Sequence, residues 1–382
     1  MSYTLTEEQQ LIQQNVREFA EEYVQEHTTE IDSSGEFPTE IVGQAAEQGL
    51  FALLFPEEFG GVEAGFLSYI LTVEEVSRTC AALGSIIVNH CSLAAEAINR
   101  FGSKEQKEQY LPAMCAGETI GAFALNEFCA DPGYGESKVV AVREGQDYVL
   151  NGKKYFVMNS GAAGVYVVFA LTNPENIENG MSAFLVEAET PGFSVGRTID
   201  KMGLNGCPTA EIVLENVRVP ATNLLGKENE GMKIVQKLQP MFKLALAAQT
   251  LGIAQSALEN SIEYAKQRVQ FGRPIGKFPA IQTMIAEMAA NIHIGRLALY
   301  DAAEMVEKGD EEEYETKASM VQLFVNKIGQ KTCLDAIQVH GGYGYSQEML
   351  VSRLLRDVKG TIAIDSASEF PEKIIAQNIM GL

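Results

Sequence analysis

The chain has 382 residues, 46% of them hydrophobic and 21% charged, the make-up of a globular protein long enough for two or three domains. A formal net charge of −22 speaks against nucleic acid or an anionic membrane surface as a partner, while a local positive patch or a helix N-terminus can still take an anionic ligand. The six cysteines, at 80, 91, 115, 129, 207 and 333, form no CxxC pair and no Cys/His cluster of the zinc kind, so no metal is expected and the thiols read as reduced.

The first third has helical periodicity. LTEEQQLIQQNVREFAEEYV opens with Thr6 as N-cap and Glu8 and Gln9 in the first turn, and Leu11, Ile12, Val16, Phe19 and Ala20 recur at helical spacing. The leading MSYTLTEEQQ has no basic stretch followed by an apolar one, and no uninterrupted apolar run approaches the length of a membrane span, so a cytoplasmic protein is expected. Pro38 starts a second helix, PEEFGG (56–61) is a turn, and helix resumes over about 67–116 with breaks expected near Gly84 and Gly102.

From about residue 119 the period changes to two. SKVVAVR (137–143), YVLNGKKYFVM (148–158), VYVVFALT (165–172), SAFLVEA (182–188) and AEIVLENVRVP (210–220) read as strands at hairpin spacing, which predicts an antiparallel sandwich or barrel. Beyond about 230 three long helical patterns follow, the first with Pro240 near its start and the third ending at Gly341 and Gly342. The expected architecture is α+β and multidomain: an N-terminal helical domain over 1–118, a middle β domain over 119–232, and a C-terminal four-helix-bundle-like domain over 233–382.

There is no GxGxxG after a strand, no GxSxG and no HExxH; GKENEGMK (226–233) is a loop before a helix, not a phosphate-binding loop. The histidines at 27, 90, 293 and 340 are far apart in sequence. Six strings, however, carry a resemblance that spans nearly the whole chain in order: PEEFGG, RFGSKEQKEQYLP (100–112), YVLNGKK (148–154), KMGLNGCPTAEIVLENVRVP (201–220), AKQRVQFGRPIGKF (265–278) and QVHGGYGYSQEMLVSRLLRD (338–357). On these the chain resembles the acyl-CoA dehydrogenase family, most nearly its bacterial short-chain, butyryl-CoA dehydrogenase-like members.

The resemblance implies a homotetramer (or homodimer) with FAD between the β domain and the C-terminal helices, an acyl-CoA thioester substrate, and electron-transfer flavoprotein as redox partner. In such an enzyme, a dehydrogenase or an enoyl-CoA reductase, a carboxylate removes a proton from Cα while the cofactor takes the hydride from Cβ. Carried over residue by residue, Arg268 of the RxxFG string would reach the FAD diphosphate, which suits a planar guanidinium, and Phe271 would pack on the cofactor. Gln338, Gly341 and Gly342 of QVHGG would let the backbone approach it, and Phe156 would flank the flavin.

Other positions depart from the family pattern. The L-T-E-P loop reads Leu125, Asn126, Glu127, Phe128 and Cys129 through Gly135, two residues longer, with an amide at Asn126 where a hydroxyl normally faces the flavin. Met158 replaces the hydroxyl residue beside flavin N5, and a thioether donates no hydrogen bond; Pro279 replaces a Gln. The base, a Glu in most relatives, aligns with Asp365 in RDVKGTIAIDSASE (356–369), one methylene shorter, and the alternative Glu–Arg position on the long helix holds Phe242 and Lys243. His90, Cys91 and Lys243 are candidates for the acyl pocket. These departures keep two rivals open: other chemistry on the same fold, such as 1,4-elimination on a cyclic thioester or loss of a substituent, and a non-catalytic acyl-thioester-binding homologue.

Overall fold

The computed structural model describes residues 4–127, 139–176, 179–308, 311–365 and 371–381. Its first helix, α1 (Glu7–Phe19), is closed by a capping box: Thr6 Oγ1 accepts from the Gln9 N–H at 3.2 Å, and Gln9 Oε1 accepts from the Thr6 N–H at 3.0 Å. Then come α2 (Thr28–Ser34), α3 (Thr39–Glu47), α4 (Phe66–Thr79), α5 (Ala81–Val88), a π-helical turn over Asn89–Ala95, α6 (Glu96–Phe101) and α7 (Lys104–Cys115). The break after α4 falls at Cys80, whose backbone is extended, and not at Gly84, which sits inside α5. Gly84 serves packing: a Cβ there would run into the Ser77 side chain, with Gln249 close by. The stretch Ala81–Phe101 is long and apolar enough to cross a membrane, but every residue of its most apolar window is buried inside the protein, as befits a core helix.

The middle of the chain forms β1 (Ile120–Ala124), β2 (Val140–Glu144), β3 (Asp147–Met158), β4 (Ala163–Leu171), β5 (Met181–Glu187), β6 (Phe193–Thr198), β7 (Thr209–Pro220) and β8 (Leu224–Leu225). They make one sheet in the order β6-β7-β3-β2-β4-β5-β8, with β1 beside β4. The sheet is mixed and not purely antiparallel, because β1 and β2 both pair with β4 in parallel. The chain reverses at the tight β2–β3 hairpin, which pairs Glu144 with Asp147, and again in the short link from Met158 to Ala163, so β4 runs the same way as β2 and meets the edge that β3 leaves open. Period-two alternation then divides β4 between two cores. Val165, Val167 and Phe169 join the helices, while Tyr166, Val168 and Ala170 face a second core made of strands alone.

The C-terminal helices are α8 (Gly231–Gln267), α9 (Pro279–Lys308), α10 (Glu311–His340), α11 (Leu350–Asp365) and α12 (Pro371–Met380). The central helix is α8, against which α4, α9, α10 and α11 all pack. Small residues permit this: a Cβ on Gly252 would overlap the Glu74 carbonyl oxygen of α4, and one on Gly329 of α10 would overlap the Thr250 side chain of α8. Since a backbone carbonyl cannot swing away, Gly252→Ala is expected to destabilise the protein by on the order of 2 kcal/mol, read as a lower urea midpoint with an unchanged m-value.

A loop of the β domain keys into α11. The Leu204 N–H donates to Asp357 Oδ1 at 2.7 Å, Arg356 pairs with Asp32 of α2 and donates to the Met202 carbonyl, and Gly203 lies so close to the Arg356 backbone that no side chain would fit. Burial pushes the Asp357 pKa up to about 6. The helix that ends at Asp365 is thereby held from two other parts of the chain.

Candidate active site

The candidate residues fall into three groups. The first lies where α8 ends. The Arg268 backbone is fixed by two hydrogen bonds, its N–H donating to Tyr264 O and its carbonyl accepting from the Ile275 N–H, both at 2.8 Å. The side chain is left to lie with its guanidinium 5.5 Å from the centre of the Tyr343 ring. Arg268, Gly341 and Gly342 line one groove of about 590 Å³, together with Tyr264, Gln270, Ile275, Val339, His340, Tyr343, Ser346 and Glu348. His340 stacks on Tyr264 at 4.2 Å and bonds through Nδ1 to the Ala336 carbonyl at 2.8 Å, and burial lowers its pKa. Gly341 has a φ of 60°, and a Cβ on Gly342 would meet nothing within 4 Å, leaving open space where other residues would put a side chain. Gln338 is exposed on the last turn of α10. Phe271, at a positive φ in the turn between Val269–Gln270 and Arg273–Pro274, is 94% exposed.

The second group lies on the β domain. Between Lys154 and Val157 the register of β3 on β7 shifts, and in this bulge Phe156 takes a φ of 56° and presents a half-exposed ring. Leu125 and Asn126 are held beside it: the Tyr155 N–H donates to Asn126 O at 2.8 Å and Lys154 Nζ to Leu125 O at 3.0 Å. Met158 is buried in the helical core, its sulfur accepting from Asn89 Nδ2 at 3.3 Å. Asn159, also at positive φ, donates to the carbonyls of Ile86 and Gly121. Phe128–Gly135 of the lengthened loop lie outside the described residues.

The third group surrounds the end of α11. Thr361 Oγ1 meets Thr250 Oγ1 at 2.9 Å, and Val358 lies beside Gly329. The short connection between α10 and α11 makes them antiparallel neighbours, so α11 runs back along α10 towards Ser319. Lys243, fully buried about two turns before Thr250 on α8, donates to Ser319 Oγ at 3.1 Å. The α11 end, with Asp365 one turn past Thr361, and the Lys243 ammonium therefore lie towards the same end of the bundle. The Asp365 side chain lies outside the described residues. His90 and Cys91 are buried in the π-helical turn. His90 Nδ1 accepts from the Gly121 N–H at 2.9 Å, its ring meets Phe51 edge-on, and burial pulls its pKa down to about 4. Cys91 donates to Phe51 O, and burial pushes its pKa well up. An imidazole this hard to protonate, with one nitrogen already engaged, is a poor base.

The sequence did not single out the Glu127–Lys154 ion pair that joins the two β-domain segments; its only local sign was a lysine flanked by strand residues. An aromatic cofactor bearing a diphosphate needs a cation, backbone that can be approached closely, and flat apolar surfaces. Arg268, Gly341–Gly342 and the exposed rings of Phe271 and Phe156 fit those needs.

Comparison with known proteins agrees along the chain. Family models match in succession: acyl-CoA dehydrogenase, N-terminal domain, over residues 6–118; middle domain over 127–217; C-terminal domain over 229–380. An acyl-CoA dehydrogenase of Bacillus subtilis (strain 168) is 40% identical over 99% of both chains. A subunit of the caffeyl-CoA reductase–Etf complex of Acetobacterium woodii is 36% identical over 97% of this chain and 98% of its own. The solved structure of butyryl-CoA dehydrogenase from Megasphaera elsdenii superposes with a TM-score of 0.94 at 35% identity, covering 100% of each. The chain belongs to the acyl-CoA dehydrogenase family.

Proposed function

We propose that this protein interconverts an acyl-CoA and its 2,3-unsaturated counterpart, with Asp365 as the base. As a member of the family it is an oxidoreductase of CH–CH bonds with FAD as cofactor. When bound, FAD supplies the hydride acceptor. The chain's own residues do the rest. Arg268 holds the diphosphate, Gly341 and Gly342 allow close approach, and Phe271 and Phe156 cover the ring system. Asp365 exchanges the Cα proton at the end of a helix braced by Asp357 and Thr361. The observation that carries the reading is the single groove shared by Arg268, Gly341 and Gly342.

The exposed rings of Phe271 and Tyr345, 94% and 90% accessible, support a homo-oligomer, a tetramer by family resemblance, in which a neighbouring copy and the cofactor cover them. The relative that belongs to an Etf complex supports electron-transfer flavoprotein as partner. The free, buried cysteines among the described residues support a reducing, cytoplasmic setting. Purified protein is expected to show a visible flavin band that a panel of acyl-CoAs bleaches, with the best thioester defining the acyl group. Protein without the band, or a band no thioester bleaches, would overturn the reading.

A further inference from the structure

Lys154 is the most deeply buried cation of the β domain among the described residues, with none of its surface exposed, and it sits inside a strand. Its ammonium donates to Glu127 Oε1 at 2.7 Å and to the Leu125 carbonyl at 3.0 Å. Glu127 Oε1 also accepts from the Val139 N–H at 3.0 Å, so one carboxylate oxygen joins positions 127 and 139 to β3. The next residue, Tyr155, donates its N–H to the Asn126 carbonyl, and the one after it is Phe156 in the bulge. A single ion pair, its lysine fully buried and its carboxylate 21% exposed, thus stands at the joint between the two β-domain segments assigned to the cofactor, Leu125–Asn126 and Phe156–Met158. Burying an ammonium is costly unless it is paired and hydrogen-bonded, and a packed apolar residue often serves stability as well. Stability alone therefore gives little reason for a lysine here, whereas alignment of two backbone segments does.

We infer that Lys154 and Glu127 are positioning residues of the cofactor pocket, whose ion pair sets the Leu125–Asn126 backbone against the Phe156 bulge. With none of its surface exposed, Lys154 reaches no bound ligand directly. The pair acts through the backbone carbonyl of Leu125 and through the alignment of the two segments, so its loss shows in how the flavin is held and tuned. This inference rests on the functional reading above.

The test uses full-length apoprotein reconstituted with FAD. Four variants are compared with the unmodified chain: Lys154→Met, Lys154→Arg, Glu127→Gln, and Lys154→Met combined with Glu127→Met. The double variant replaces both charges by apolar groups and keeps the fold measurable if Lys154→Met alone fails to fold. FAD affinity by fluorescence titration and the reduction potential of the bound flavin are read alongside the apoprotein Tm. The expected result is FAD binding weakened about tenfold or more and a displaced potential in Glu127→Gln and in the double variant, with Lys154→Arg closer to the unmodified protein. A folded double variant with unchanged FAD affinity and potential would overturn the inference while leaving the functional reading in place. An unmodified chain that takes up no FAD would remove both.

Discussion

Replacing Asp365 by asparagine is expected to slow the bleaching of bound flavin by an acyl-CoA by ~10²–10⁴, the usual contribution of a positioned general base. Asparagine keeps the shape and removes the proton acceptor, so substrate affinity should hold while the single-turnover rate falls. The fold anchors the helix that leads to this position. Three residues of α11 are tied down: Asp357 to the Leu204 N–H, Arg356 to Asp32, and Thr361 to Thr250. The last of these ties lies one turn before position 365, and a misplacement of ~1 Å can cost about a hundredfold in rate. Asp365→Glu is the companion measurement. A faster rate with linear acyl-CoAs would mean that the missing methylene limits the reaction; a slower one would mean a pocket shaped around the shorter acid and a bulkier acyl group. If neither substitution altered the rate, Asp365 would not be the base. His90 could not easily replace it, with its pKa near 4 and Nδ1 engaged by Gly121.

Arg268→Ala is expected to give folded protein that is largely free of FAD. The two backbone hydrogen bonds at this residue do not involve the side chain, so the turn that ends α8 should survive the substitution. What is lost is the guanidinium beside Tyr343 in the groove of Gly341 and Gly342. Each hydrogen bond to a charged group is worth about 1.5–3 kcal/mol, and a guanidinium can make two to a diphosphate, so an affinity loss of roughly 10²-fold or more follows. Absorbance per protein after gel filtration checks occupancy, and the apoprotein Tm checks the fold. Full occupancy in this variant would show that Arg268 does not hold the cofactor.

The family and the order of its parts were legible in the sequence, because their signals are local. Thr6 and Gln9 form their capping box within one turn, the apolar residues of α1 repeat at helical spacing, and Ile212, Leu214, Val217 and Val219 of β7 turn to the strand core. The strings around Arg268 and Gly341 likewise lie within short segments, so a resemblance could be read from them without knowing what they face. Where the chain departs from a familiar pattern, as at Asn126, Met158 and Asp365, the sequence marks the position but not its surroundings.

Those surroundings depend on partners far along the chain, and only the tertiary structure decided them. The parallel pairing of β2 with β4 follows from two successive chain reversals, one at the β2–β3 hairpin and one between β3 and β4, and from the edge of β2 left open, which no single strand encodes. Gly84 looked like a helix break because glycine is a poor helix former, yet Ser77 and Gln249 pack where its side chain would be, and the break lies at Cys80. Lys154 reads in sequence as an ordinary strand lysine; burial and a carboxylate 27 residues away make it the joint between the Leu125–Asn126 segment and the Phe156 bulge. Local propensity and periodicity act over a few residues, and so the sequence determined the elements and the family. Burial and pairing depend on residues brought together from anywhere in the chain, and so the fold alone decided which groups share a site.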